Sequence, residues 1–154
     1  MEKVMNKWIG LLFAFSIVLT SCSENRIYET YETISPNGWG MQDSLIYEIS
    51  SISEKPSQSL IGVRFKDEYP FSNCYIRVLM RDSLKNILQD ELIDITLFDP
   101  KGEPLGEGFG STYTKFDTVP LSINEQTASV VLLQYMREEQ LKGVEAVGIK
   151  LLKE

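Results

Sequence analysis

One stretch of the 154-residue chain has residues whose types and spacing predict a covalent reaction. Leu19-Thr20-Ser21-Cys22 follows an uncharged run from Trp8 to Thr20, itself preceded by Lys3 and Lys7. A basic start, a short apolar core and a small-residue cleavage region form the secretory signal layout. Spanning a bilayer takes about 20 apolar residues, more than this run supplies. The four residues fit a bacterial lipobox. There a cysteine thiolate, the strongest nucleophile among neutral-pH side chains, accepts diacylglycerol as a thioether. The expectation is cleavage before Cys22, a signal peptide over 1–21, and a lipidated N-terminus. Two or more acyl chains anchor stably where one is marginal.

Elsewhere reactive groups are scarce. The chain has no histidine, which removes Ser-His-Asp and Cys-His nucleophile systems and His-containing zinc sites. With Cys22 lipidated, Cys74 is the remaining cysteine, so no intramolecular disulfide is expected. The pairs Asp90/Glu91 and Glu138/Glu139 are adjacent in sequence. On a strand such neighbours point to opposite faces and cannot act on one bond. "GEGFGS" at 106–111 is G-x-G-x-G without a P-loop lysine, so its glycines read as turn residues with positive φ. "DPKGEPLGE" lacks the alternating acids of a calcium loop. Neither a metal nor a cofactor is expected, apart from the covalent lipid.

Removing residues 1–21 takes away Glu2, Lys3 and Lys7, leaving 133 residues with 21 acids and 13 bases. That is one domain, large enough to fold on its own core. A net charge of −8 without a basic stripe argues against nucleic acid as a partner.

The elements that must carry any site read as strands. Residues 22–40 read as a tether with an edge strand over Tyr28 to Ile34, and 41–154 as the main domain. Leu45, Tyr47 and Ile49 share one face, as do Ile61, Val63 and Phe65. So do Cys74, Ile76, Val78 and Met80, and Ile93, Ile95 and Leu97. "SVVLLQY" from Ser129 is apolar on both faces, as a central strand would be, and "VGIKLL" closes the domain. Period-two patterning with Pro and Gly turns at 55–59, 99–104 and 141–145 predicts an all-β chain. The expected fold is a single antiparallel β-sandwich, immunoglobulin-like or jelly-roll-like. "DSLKNILQDEL" at 82–92 fits a strand or a short helix, and Asp99 to Pro120 reads as a long irregular segment.

Trp39, in "NGWG", and Tyr69-Pro70-Phe71 fall in predicted turns. Exposed turn aromatics stack on sugars or anchor protein partners. The same rings, turned inward, would cap the ends of the core.

The order of these features carries a resemblance. A lipobox and a Y-E-x-Y segment precede "NGWGMQDS", "DEYPFSNCYIRV", "GEPLGEGFGSTY" and "QYMREEQLKGVEAVGIKL". The chain resembles the gliding motility lipoprotein GldH family of Bacteroidota cell envelopes. Tyr69 to Asn73, Met136-Arg137, Gly143, Val147 and Gly148 are the most specific pieces. Cys74 departs from the aliphatic residue more usual after "FSN". The resemblance implies an outer-membrane lipoprotein of the surface machinery on which gliding cells move, with no enzymatic activity. To the turn aromatics Trp39, Tyr69 and Phe71 it adds Met136 and Arg137 as candidate interaction residues, with envelope proteins as the expected partners. The alternative expectation is a glycan-binding module stacking sugars on Trp39, Tyr69 and Phe71. Only one acid follows the lipid site in Ser23-Glu24-Asn25, so a periplasm-facing orientation is expected.

Overall fold

The computed structural model describes residues 25–154. The signal peptide over 1–21 and the lipid site at Cys22 lie outside the described residues. Eleven strands and no helix make up the described chain, and all strand pairings are antiparallel.

Five strands form one sheet in the order β1 (Arg26–Thr33), β11 (Val144–Leu152), β4 (Gln58–Lys66), β8 (Thr112–Val119) and β7 (Glu107–Phe109). Four form a second: β3 (Leu45–Glu48), β9 (Ser129–Gln134), β5 (Asn73–Arg81) and β6 (Ile87–Thr96). A small ladder joins β2 (Trp39–Gly40) to β10 (Gln140–Leu141). The expected alternation is realised. Ile61, Val63 and Phe65 from the first sheet and Cys74, Ile76, Val78 and Met80 from the second fall in one buried cluster. β1 is an edge strand paired along its length with β11, as the sequence predicts.

One open alternative is decided and one expectation changes. Asp82 to Asn86 form a turn, not helix, because the Asp82 carboxylate accepts the Leu84 and Asn86 N–H groups and the Asn86 side-chain amide. The strand alternative holds from Ile87 onward. The segment from Asp99 to Pro120 is not irregular: β7 and β8 form a hairpin inside it. Gly106 and Gly110 hold the positive φ expected of turn glycines, at +102° and +68°, whereas Gly108 lies inside β7 without it.

The outer faces of the two sheets differ. On the five-stranded sheet Tyr31 lies against Gly148 and Phe116 against Gly62, filling the space that Cβ atoms would take. Arg64 sits 5.3 Å above the Tyr31 ring and Lys150 is 5.6 Å from that of Phe116. The middle of that face is roofed by its own rings and cations, with Phe109 exposed at its edge. On the other face Val131 and Leu79 are buried, while Ile46, Leu92 and Tyr135 are about half exposed.

Candidate functional site

The five candidate interaction residues meet different fates. Trp39 is 1% exposed and its indole N–H donates to the Asp43 carbonyl oxygen at 2.8 Å. Tyr69 is 5% exposed and its hydroxyl donates to the Asn73 carbonyl oxygen at 3.0 Å. Phe71, half-buried, meets Tyr69 edge-on, and Tyr69 stacks on Phe98. The exposure that a sugar-stacking platform needs is therefore absent at Trp39 and Tyr69. Both rings cap the core, satisfying their polar tips on backbone carbonyls as buried Trp and Tyr do.

Met136 and Arg137 occupy the loop after β9, and this loop is held rigidly. Gln134, 1% exposed, accepts the Met136 N–H at 2.9 Å and donates to the Glu138 carbonyl oxygen. The Met136 sulfur accepts the Tyr75 N–H at 3.0 Å. Arg137 is thereby fixed at a φ of +62°, a conformation that costs a non-glycine residue on the order of 1–2 kcal/mol. Its side chain is exposed and has no hydrogen bond or ion pair among the described residues. Such strain persists only where surrounding structure enforces it, and it clusters at ligand clamps.

Beside Arg137 a pocket of about 330 Å³ is lined by Met41, Arg77, Leu133, Gln134, Tyr135 and Arg137. It lies on the outer face of the four-stranded sheet. Arg77 is committed to Asp90 through two parallel bonds of 2.9 and 2.6 Å. That pairing holds the Asp90 carboxyl below its ordinary range. No carboxylate lines the pocket, so Arg137 is its uncompensated charge. Two cross-strand rows run beside it: Leu133 opposes Arg77, which opposes Leu92, while Ile46 opposes Val131, which opposes Leu79, the last two being buried. Tyr135, Leu92 and Ile46 are each about half exposed, at 52, 52 and 48%. A larger hollow of about 540 Å³ opens among residues 49–56 and 123–127, but it holds none of the residues singled out by sequence.

Met41, Arg77, Leu133 and Tyr135 were missed by the sequence reading. For Leu133 and Tyr135 a signal was present: "SVVLLQY" is apolar on both faces, and on the outer face of β9 these two stay partly exposed. Chemically, the site offers apolar contact beside one fixed guanidinium. Among the described residues no three Cys, Asp or Glu side chains converge as metal ligands. Nor is any described helix long and apolar enough to cross a membrane.

The gliding motility lipoprotein GldH of Flavobacterium johnsoniae is 22% identical to this chain over 101 residues, 65% of the chain. The match spans 62% of that relative's length. Residues 26–151, from the first strand to the last, match the GldH lipoprotein family. The chain belongs to the GldH lipoprotein family.

Proposed function

We propose that this chain is a non-enzymatic outer-membrane lipoprotein and a scaffolding or assembly component of the gliding motility and cell-surface machinery. Its two sheets form a β-sandwich tethered through diacylglycerol on Cys22, on the periplasmic side. The observation that carries the reading is the family match across the whole described domain, together with a relative named for gliding motility. The lipobox supports the anchor, and the scarcity of catalytic groups supports a role in binding.

The tether also gives an orientation. Cys22 lies four residues before Arg26, a reach of at most about 14 Å at roughly 3.3–3.6 Å per residue. The end of the five-stranded sheet where Arg26 pairs with Leu152 thus faces the bilayer. A tethered domain searches a thin layer, so weak contacts with envelope proteins suffice through raised effective concentration.

Deletion in a gliding host is the test. Loss of spreading, restored by the wild-type chain and not by Cys22→Ser, is expected. Crosslinking should recover envelope proteins. Normal spreading after deletion, with no crosslinked partner, removes the proposal.

A further inference from the structure

On the outer face of the four-stranded sheet, the exposed Arg137 borders a pocket that no carboxylate lines. The outer face of the β3-β9-β5-β6 sheet exposes Ile46, Leu92 and Tyr135, whereas the middle of the opposite sheet is covered by Tyr31, Phe116, Arg64 and Lys150, with Phe109 exposed at its edge. Exposed apolar patches of this kind mark interaction sites, and Tyr, Met and Arg are the residues that interfaces favour. At the edge of the patch Arg137 is preset by the Gln134 clamp, which reduces the ordering cost of binding.

We propose that this face is the docking surface of the lipoprotein and that its occupant is an acidic segment of another protein. A carboxylate of that segment pairs with Arg137, and apolar side chains beside it rest on Leu133, Tyr135 and Leu92. The inference deepens the scaffolding reading and rests on it for the presence of a protein partner.

Three considerations select this occupant. First, the pocket around Arg137 contains two arginines and no acid, and Arg77 is already neutralised by Asp90. Charge complementarity therefore calls for a carboxylate. Screening over about 8 Å at physiological salt lets this local sign outweigh the acidic net charge of the domain. Second, the proposed tether sets this loop at the end of the domain away from the bilayer. β1 runs from Arg26 at the tethered end to Thr33, and eight strand residues span roughly 25 Å. Ile34 bonds to Glu145, β10 pairs with β2, and the Arg137 loop belongs to this far end. Third, a second copy would bring together two whole acidic domains of the same sign, whereas a segment meets only the pocket.

The test uses the full-length lipidated chain in detergent micelles and three fluorescent heptapeptides with Glu, Gln or Lys between leucines. Anisotropy should show the Glu peptide binding wild type at least tenfold more tightly than the Gln peptide. Arg137→Gln should abolish that preference, Arg137→Lys should restore part of it, and Tyr135→Ser should weaken all binding. Both side chains are exposed, so unchanged melting curves verify folding. No binding of the Glu peptide, equal binding of the three, or a preference surviving in Arg137→Gln overturns the proposal. Self-association lost in Tyr135→Ser assigns the face to a second copy and also overturns it. Vesicle binding by a Cys22→Ser chain, lost in Arg137→Gln, does the same in favour of lipid. In the host, full spreading with Arg137→Gln/Tyr135→Ser when deletion abolishes spreading sinks the docking face but not the gliding role. A deletion that spreads normally sinks the gliding role and leaves the peptide result standing.

Discussion

The Tyr47 hydroxyl donates a 2.7 Å hydrogen bond to the Val147 carbonyl oxygen, joining β3 of the four-stranded sheet to β11 of the five-stranded one. The ring itself is 1% exposed within the shared core, so one side chain contributes both apolar filling and a directional link between the sheets. Removing the hydroxyl takes away this inter-sheet hydrogen bond and leaves the Val147 carbonyl to its strand ladder. Tyr47→Phe is expected to lower stability by about 1–2 kcal/mol. Urea unfolding checks this, and an unchanged midpoint would show that the link contributes nothing.

Alkaline pH should destabilise the domain. Burial pushes the Cys74 thiol up to about 12 from an ordinary value near 9. Burial, with Glu29 adding to it, pushes the Tyr31 phenol up to about 12 from 10. The unfolded chain releases these protons first, so the stabilisation is complete below about pH 9 and is lost as pH climbs toward 12. Above pH 9 Cys74 alone steepens the decline by up to about 1.4 kcal/mol per pH unit. Urea midpoints at pH 8, 10 and 11 should fall, and Cys74→Ala should flatten the fall. Equal midpoints at all three values would contradict it.

Gly143 should tolerate no side chain. Its φ is +84°, and a Cβ there would stand 2.9 Å from the Tyr69 Cα. The obstacle is backbone, which cannot swing aside, and Tyr69 is held by Phe65, Phe71 and Phe98. Gly143→Ala combines strain with a clash and should cost roughly 2 kcal/mol or more. Thermal melting reads the loss. A variant as stable as wild type would mean that this end of the domain repacks freely.

How far the fold could be read from sequence depended on where the apolar side chains point. β4, β5 and β11 put aliphatic residues inward at every second position, and each was legible. β8 was not. Its residues paired with the inward-facing Val63 and Ile61 are Lys115 and Asp117, an ion pair at 3.2 Å near the edge of the sheet. Inward charges on edge strands oppose edge-to-edge aggregation, and they erase the period-two signal. The site was half legible. Arg137 lay in a recognisable motif, but only the cross-strand register sets it beside Leu133 and Tyr135. For Trp39 and Tyr69 the turn positions left exposure and core capping both open, and the β2-β10 ladder and the Tyr69–Phe98 stack fold both rings inward.

Among the described residues two other than glycine hold positive φ, and they separate strain without function from strain with it. Lys85, at +67°, sits in the β5-β6 turn, where its N–H bonds to Asp82 and its side chain is exposed. Arg137, at +62°, sits at the proposed docking face. Glycine adopts this conformation without the Cβ penalty, so Lys85→Gly and Arg137→Gly should each stabilise the fold by up to about 1 kcal/mol. They should diverge in function. Lys85→Gly should keep spreading and the preference for the Glu peptide, whereas Arg137→Gly should lose both while melting higher. Strain at Arg137 would then be retained for the guanidinium it carries. If Arg137→Gly gained stability and kept its peptide preference, that explanation would fail.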